Sequence, residues 1–234
     1  MTRREFFQRR IPRYRKDPLL FFKEVTHFEP DPWQREAAVA VSQHRRVAIR
    51  SGQGVGKTAL EANLMWWFIA CFSYPRIVCT APTMQQLDNV LWAEMAKWLD
   101  ASPVLQMMFT WTKTRVYMNG YDRRWFAVPR TATKPESLQG FHEGNMFFVI
   151  DEASGVADPI LDALGGTLTG ANNRLLYCGN PTKATGGFAE SFQGDGMDWY
   201  CMTVSSRDSP RTSKENIAAL EKKYGKNSNV VRVR

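Results

Sequence analysis

The sequence has no apolar run long enough to cross a bilayer. The longest such run, Leu64 to Phe72, is far shorter than the roughly 20 residues that a membrane-spanning helix needs. The N-terminus carries charges but no apolar segment after them, so it does not have the pattern of a signal peptide. We therefore expect no membrane segment and no membrane partner.

Cysteine is also scarce, and its spacing matches neither a metal site nor a disulfide framework. Three of the four cysteines lie in apolar runs that predict a helix or strands. A reducing cytosol is the simplest interpretation of this pattern. Internal repeats and low-complexity linkers are absent too, so we expect a single folded domain. The cysteines are Cys71, Cys79, Cys178 and Cys201.

The composition is that of a globular protein with an excess of positive charge. A length of 234 residues suits one α/β domain, and the hydrophobic share of 44% is ordinary for a soluble core. The net charge of +8 favours polyanionic partners such as nucleic acid. Many soluble proteins are basic without such a partner, so the charge only supports this interpretation.

The most informative stretch runs from Arg46 to Phe72. It opens with an apolar run that predicts a buried strand, continues into a loop with three glycines, and then becomes a strong helix former. Strand, glycine-rich loop, Lys-Thr and helix is the layout of a P-loop. The strict pattern begins with glycine, which a serine replaces here. The predicted phosphate loop consists of Ser51, Gly52, Gln53, Gly54, Val55, Gly56, Lys57 and Thr58.

A P-loop binds a nucleoside triphosphate because its N–H groups and the positive end of its helix point at phosphate oxygens. We expect Lys57 to reach the β- and γ-phosphates and the Thr58 hydroxyl to ligate Mg²⁺. A chance glycine-rich turn is the alternative, and the strand-to-helix context argues against it. The sequence therefore predicts ATP and Mg²⁺ as ligands.

A second motif of this kind begins at Met146, where an apolar run ends in Asp151-Glu152. This is the Walker B pattern, in which a buried strand delivers two carboxylates to its C-terminal end beside the P-loop. We expect Asp151 to hold Mg²⁺ through water and Glu152 to orient or deprotonate the attacking water.

Other segments alternate between strand and helix patterns. Arg76 to Thr80 predicts a strand that leads into a helix from Met84 to Leu99, and Arg115 to Val128 predicts a hairpin. Arg174 to Cys178 and Trp199 to Val204 predict two further strands. We expect an α/β P-loop fold of the RecA-like type with a catalytic glutamate. Its mainly parallel central sheet should be flanked by helices and carry added antiparallel strands.

Two polar positions beside this core have more than one interpretation. Gln34 follows Trp33 at a helix start that Asp31-Pro32 caps, and a Gln there can read adenine while the aromatic packs on the base. The alternative is an ordinary amphipathic helix that covers the sheet. Asn180 follows a predicted strand and can contact the γ-phosphate or its water, whereas a plain Asn-Pro turn is the alternative.

Two basic segments also remain open. Residues 1–27 form a basic N-terminal arm, either a contact surface for nucleic acid or a partner subunit, or more often a solvated tail. The polar loop from 129 to 144 carries Arg130, our first candidate for an arginine that completes a neighbouring site, unless it pairs with a surface carboxylate. Arg123 and Arg124 rank lower because a strand is predicted there.

Taken together, the motifs resemble one family. The Trp33-Gln34 pair, RSGQGVGKT, TAPT with Gln85-Gln86, FFVIDEASGV and YCGNPT follow one another in this order. The combination resembles the ATPase domain of the large terminase subunit of tailed bacteriophages, the motor that packages viral DNA. The resemblance covers the chain from about residue 28 to 234.

The resemblance implies specific roles and partners. Lys57, Thr58, Asp151 and Glu152 match the positions of nucleotide binding and hydrolysis, Asn180 matches the coupling motif, and Trp33 with Gln34 matches the adenine motif. The implied partners are sequence-independent double-stranded DNA, a portal or procapsid, a small terminase subunit and further copies in a ring, all in the host cytoplasm.

Two departures from the family pattern stand out. Many terminases carry an arginine inside the P-loop where Gln53 stands here, and the sequence leaves open whether Arg50 compensates. The family's full-length proteins continue into an RNase H-like nuclease domain, so we expect residues 28–234 to be the ATPase part of a longer protein. No cutting activity is assigned to these residues.

Two other functional classes compete with the DNA-translocating ATPase. A helicase-like or repair ATPase would separate strands, but the sequence lacks the second RecA-like domain that helicases carry. A nucleotide-binding switch would turn over slowly, and Glu152 directly after Asp151 argues against that class.

Overall fold

A sheet of eight strands forms the centre of the molecule. The computed structural model describes residues 2–131, 143–194, 198–226 and 228. The strands lie in the order β3-β4-β5-β2-β6-β7-β1-β8 across the sheet. They are β1 Arg46–Ser51, β2 Arg76–Thr80, β3 Phe109–Thr112, β4 Arg115–Met118, β5 Phe126–Pro129, β6 Met146–Ile150, β7 Arg174–Gly179 and β8 Tyr200–Val204.

Most of this sheet is parallel, and antiparallel pairing is confined to one edge. Strands β5, β2, β6, β7, β1 and β8 pair in parallel, and β3 and β4 add an antiparallel extension beside β5. Parallel neighbours need a crossover between them, which is why helices alternate with strands along the chain. The predicted mixed fold with added antiparallel strands is confirmed, although β3 was not among the predicted strands.

Helices cover both faces of the sheet. Those before β2 are α1 Arg3–Lys16, α2 Pro18–Phe21 with a π-helical extension Phe22–Thr26, α3 Pro32–Gln43 and α4 Lys57–Cys71. Those between β2 and β3 are α5 Met84–Gln86, a π-helical segment Leu87–Trp92, α6 Ala93–Asp100 and α7 Pro103–Met108. A 3₁₀ turn, Ala153–Gly155, follows β6, and the last helices are α8 Asp158–Gly166, α9 Gly187–Glu190 and α10 Lys214–Tyr224.

Side chains alternate between two cores on opposite faces of the sheet. Val47 and Ile49 of β1 belong to the core around α4, whereas Ala48 belongs to the core beneath α8. All five residues of β6 are buried, as expected for a central strand with both faces covered. Which face α4 packs on therefore decides which β1 side chains lie beside the P-loop helix.

Helix α4 is buried on all sides because it lies between the sheet and other helices. It contacts α1 and α6 on one side and β6 on the other. Two of its tryptophans hydrogen-bond through their indole nitrogens: Trp66 Nε1 donates to the Met95 carbonyl at 3.0 Å, and Trp67 Nε1 donates to the Tyr14 carbonyl at 2.6 Å. The helix that follows the P-loop is thus held from both sides.

The N-terminal residues are packed onto this domain, so the expectation of a solvated tail is wrong. Helix α1 buries Phe7 and Tyr14 in the same core that contains α4. Arg15 Nε donates to the Cys71 carbonyl at 2.9 Å, which ties the end of α1 to the end of α4. Apolar side chains at helical spacing among the arginines are what dock the segment. A domain boundary between residues 27 and 28 stays a prediction, but the core extends across it.

The helical stretch after β2 matches the sequence with one local change. Leu87, Leu91 and Met95 are fully buried and Trp98 packs against the core, which confirms the predicted apolar stripe. The change is the π-helical segment Leu87–Trp92 inside the stretch. None of the helices that the structure describes is long and apolar enough to span a membrane.

The docking of α1 predicts a large difference between two neighbouring phenylalanines. Phe7 is 1% exposed and Phe6 is 41% exposed. Phe7→Ala should lower the free energy of unfolding by about 3–5 kcal/mol because it leaves a cavity in the core. Phe6→Ala should change it by no more than about 0.5–1 kcal/mol, since it removes only an exposed ring and its contact with Arg10. Chemical denaturation of both variants measures the difference, and equal effects would contradict the docking.

Candidate active site

The phosphate loop connects the end of β1 to the start of α4. Gly54 and Gly56 have φ angles of 74° and 92°, a left-handed conformation that side chains disfavour. A Cβ atom at Gly56 would also lie 3.0 Å from Gln34 Nε2. Glycine at position 56 is therefore required by backbone angle and by space, and it lets the chain turn directly into the helix that begins at Lys57.

Other loop residues anchor this turn. Ser51 is buried and its hydroxyl donates to the Gly52 carbonyl at 3.0 Å, while the Gly52 N–H donates to the Val204 carbonyl of β8 at 3.0 Å. Val55 is fully buried in the core around α4. Gln53, in contrast, is exposed at the rim of the loop.

A cavity of about 390 Å³ opens between the phosphate loop and the end of β6. Strands β1, β7 and β6 are adjacent and parallel, so their C-terminal ends meet at the same edge of the sheet. The cavity is consequently bounded by the P-loop on one side and by Asp151 and Glu152 on the other, with Gln86 and Val90 from the helical stretch after β2. Its lining from the P-loop runs from Gln53 to Thr58.

Lys57 contacts the other predicted site residues. Its Nζ donates to Asn180 Oδ1 at 2.8 Å and lies 3.6 Å from Glu152 Oε1. Lys57 is 8% exposed and Asn180 is 4% exposed, so this cation is held by buried polar groups rather than by solvent. The structure therefore brings together the P-loop lysine, the residue after β7 and the second carboxylate after β6.

The turn after β6 holds the two carboxylates in fixed places. The Asp151 N–H donates to the Thr80 carbonyl, and Asp151 Oδ1 accepts from the Glu152 N–H at 2.8 Å. Glu152 has a φ of 49°, a strained backbone conformation of the kind that clusters at functional sites. A Cβ atom on Gly179 would lie 2.9 Å from the Ala153 nitrogen, so glycine at the end of β7 permits this close approach.

The site gathers more negative than positive charge. Asp151 is 5% exposed, and burial first, then the nearby charge of Glu152, raises its pKa to about 6 against the lowering effect of Lys57. Glu61 is fully buried one helical turn after Lys57. Burial and the charge of Asp151 raise the pKa of Glu61 well above its usual value. The sequence analysis missed Glu61, although a lone acidic residue in the apolar helix α4 was a signal for it.

Two oxygen ligands for a divalent cation lie at this cavity. Thr58 and Asp151 both line it, and hydroxyl and carboxylate oxygens are what Mg²⁺ prefers. A buried carboxylate beside a second carboxylate would gain from a nearby cation. Within the described ranges, no group of three or more His, Cys, Asp or Glu side chains could hold a metal alone. The donor set fits Mg²⁺, which commonly takes its remaining ligands from phosphates and water.

Gln34 and Trp33 do not line this cavity, which corrects the expected contact with adenine. Gln34 is fully buried, its Oε1 accepts from the Asp31 N–H at 2.8 Å, and its Nε2 donates to the Gly56 carbonyl at 2.8 Å. Both ends of the amide are therefore used, one to cap α3 and one to hold the P-loop. Trp33 is partly buried and packs against the core around α4.

Arg50 also lies away from the phosphate loop. Its Nε donates to Thr203 Oγ1 of β8 at 2.8 Å, and its guanidinium lies 4.7 Å from the centroid of the Phe192 ring. Because Arg50 shares a face of β1 with Ala48, it points to the side of the sheet opposite α4. The structure thus gives no support to Arg50 as a replacement for the missing P-loop arginine.

The three candidate trans-acting arginines lie at opposite edges of the sheet. Arg130 is exposed and follows β5, at the same edge as Asp151, but it does not line the cavity of its own chain. Arg123 and Arg124 lie in the turn before β5, not in a strand as predicted, and therefore at the far edge. The rest of the polar loop, residues 132–142 with Lys134, Ser137, Gln139 and His142, lies outside the described residues.

Known proteins with similar sequence or structure are terminases. No protein-family model matches the sequence. Over 213 residues, 84% of this chain, the sequence is 28% identical to a probable terminase large subunit of Enterobacteria phage P7. The match covers 43% of that relative, so the chain spans less than half of its length.

Solved structures agree with that similarity. The large terminase ATPase domain of Thermus phage P74-26 is similar with a TM-score of 0.67 and 15% identity, over 93% of this chain and 96% of that one. The large terminase of another thermophilic bacteriophage, solved in complex with ADP, is similar with a TM-score of 0.64 and 13% identity. That match covers 94% of this chain and 51% of the other. These findings confirm the resemblance to large terminases, and the fold is that of their ATPase domains.

The raised pKa of Asp151 predicts a pH-dependent stability in the absence of nucleotide and divalent cations. Its carboxyl has a pKa of about 6 in the folded chain and an ordinary value of 3.8. Between these values the folded state binds more protons, so the free energy of unfolding falls as the pH rises through this window. Asp151→Asn should remove the penalty and gain about 2–3 kcal/mol over wild type between about pH 4 and pH 7.5.

Chemical denaturation at both pH values measures this gain. Asp162→Asn removes an exposed carboxylate from α8 and serves as the control, for which the difference from wild type should stay nearly constant. A constant difference for Asp151→Asn as well would contradict the buried, charge-repelled state of Asp151.

Proposed function

We propose that this chain is the ATP-hydrolysing domain of a large terminase subunit, a motor that moves double-stranded viral DNA into a procapsid. The observation that carries the proposal is the cluster of Lys57, Asn180 and Glu152 at one cavity with Thr58 and Asp151. The similarity to a probable terminase large subunit of phage P7 supports it. The ADP complex of the thermophilic bacteriophage terminase supports nucleotide binding in this fold.

In this proposal the phosphate loop binds the triphosphate. Backbone N–H groups of residues 52–57 and the N-terminus of α4 favour the phosphate oxygens, and Lys57 supplies a point charge. Lys57 now contacts Asn180 and Glu152, so an incoming γ-phosphate would compete for the same cation. That competition makes Asn180 the residue that senses whether the γ-phosphate is present.

Thr58 and Asp151 would hold Mg²⁺, which when bound neutralises charge on the phosphates. Glu152 is the partly exposed carboxylate of the pair and borders the cavity, where it can accept a proton from the attacking water. Water oxygen then bonds to the γ-phosphorus, the bond to the β-phosphate oxygen breaks, and ADP and phosphate result. Lys57 stabilises the negative charge that the leaving oxygen develops.

The DNA contact is proposed to be electrostatic and independent of sequence. The chain carries 31 Lys and Arg against 23 Asp and Glu, which favours phosphate contacts. A portal or procapsid, a small terminase subunit and further copies of the chain in a ring are the proposed partners, in the host cytoplasm. A ring would place the exposed edge with Arg130 next to a neighbour's cavity and supply the positive charge that Gln53 does not.

Glu152→Gln tests the hydrolytic assignment. The variant should bind ATP with near-normal affinity and hydrolyse it at least about 10²-fold more slowly, because it lacks the base for the attacking water. Nucleotide binding and phosphate release on the purified chain, with and without double-stranded DNA, measure both quantities. Glu190→Gln, which neutralises an exposed carboxylate in α9, is the matched control and should hydrolyse at the wild-type rate. Turnover near wild type in Glu152→Gln would remove this residue from the role.

A subunit-mixing experiment tests Arg130 as an arginine that acts on a neighbour. Arg130→Ala should lower turnover of the assembled chain by roughly 10³-fold or more, since an arginine supplied in trans contributes that much. Mixing Arg130→Ala with Glu152→Gln should restore part of the activity, because some sites then regain both groups.

Arg123→Ala, at the opposite edge of the sheet, controls for loss of positive charge and should leave turnover nearly unchanged. Activity in the mixture that never exceeds the sum of the two variants alone would overturn the assignment of Arg130.

A further inference from the structure

A second cavity lies on the outer side of the phosphate loop. It has a volume of about 270 Å³ and shares only Gln53 and Gly54 with the cavity that holds the carboxylates. Its other wall comes from the segment after β8 and from α10. None of the motifs recognised in the sequence lies in that wall.

The segment after β8 is attached to the phosphate loop and its surroundings. Ser206 Oγ donates to the Gln53 carbonyl at 3.0 Å, and the methyl group of Thr212 lies 3.6 Å from the position of a Cβ atom on Gly54. Arg211 Nε donates to Asp31 Oδ2 at 2.7 Å, at the start of α3. These contacts hold the wall of the second cavity against the loop that would carry the phosphates.

The order of the strands gives the direction of a bound nucleotide. Strand β1 has β7 and then β6 on one side and β8 on the other. A terminal phosphate beside Asp151 and Glu152 lies on the β6 side of the loop. The rest of the nucleotide must then leave the loop on the β8 side, where the second cavity is.

The chemistry of the lining suits a nucleoside. Ile217 and Leu220 of α10 are half-buried and offer an apolar surface to a flat base. Asn216, Thr212 and Ser213 offer hydrogen-bonding groups for the polar edges of a base or a ribose. Gln34, which the sequence assigned to the base, has both ends of its amide occupied by Asp31 and Gly56.

We propose that the base and ribose of the nucleotide bind in this second cavity, between Gln53-Gly54 and the face of α10 that carries Ile217 and Leu220. The inference rests on the proposed function, because it requires that the phosphate loop binds a nucleoside triphosphate. It assigns recognition of the nucleoside to the residues after β8, and it makes Gln34 a positioning residue that acts through the Gly56 carbonyl.

Comparing two ligands separates the nucleoside contact from the phosphate contact. Ile217→Asp should raise the Kd for ATP and ADP by at least about 10-fold, since burying a charge replaces an apolar contact worth that much. The Kd for inorganic tripolyphosphate, which has no base or ribose, should stay within about 2-fold of wild type. Lys57→Ala should weaken both ligands, because it removes a phosphate contact. Calorimetric titration of the full 234-residue chain supplies the values.

Ala218→Asp is the matched control, because it adds the same charge to the same helix at an exposed position outside the cavity. Its affinity for ATP should equal that of wild type. If Ile217→Asp fails to fold, the double variant Ile217→Ala with Leu220→Ala replaces it in the same comparison.

Three results would overturn the proposal: unchanged affinity for ATP in the cavity variant, equal loss for ATP and tripolyphosphate, or equal loss for ATP in Ala218→Asp. Failure of the wild-type chain to bind either ligand would instead refute the phosphate loop, and with it the proposed function. The two failures are therefore distinguishable.

Discussion

The contact of one buried lysine with Asn180 and Glu152 is the interaction on which the rest of the site depends. Lys57 is 8% exposed, and a charge removed from water is stable only when polar or charged partners surround it. Those partners come from the ends of two further strands, β7 and β6, that lie beside β1 in parallel. The parallel order of three strands is thus what makes a buried cation possible at this edge of the sheet.

The same arrangement leaves an excess of negative charge. Asp151, Glu152 and the buried Glu61 face a single lysine, and the raised pKa values of Asp151 and Glu61 are the physical expression of that imbalance. Such a site gains stability from added positive charge. In a terminase, Mg²⁺ and a neighbouring arginine would both supply it, and the missing P-loop arginine increases the need for them.

A second set of contacts joins the phosphate loop to distant parts of the chain. Asp31 caps α3, accepts from Arg211 after β8, and uses Gln34 to reach the Gly56 carbonyl. The start of α3, the P-loop and the segment before α10 are therefore connected through one polar network. This network gives Gln34 a structural task that is independent of any contact with a base, and it keeps the second cavity closed against Gln53 and Gly54.

Local pattern by itself determined much of this protein. The apolar run, glycines and Lys-Thr after Arg46 predicted β1, the loop and α4, and the run before Asp151 predicted β6, because each pattern requires only neighbouring residues. Tertiary structure alone decided the rest. Whether Gln34 meets a base or Gly56, and which face of β1 carries Arg50, depends on where α4 packs. The docking of α1, the position of Glu61 near Asp151 and the cavity beside α10 all arise between segments far apart in sequence. Contacts of that kind follow from the packing of the whole sheet and its helices, which no local pattern encodes.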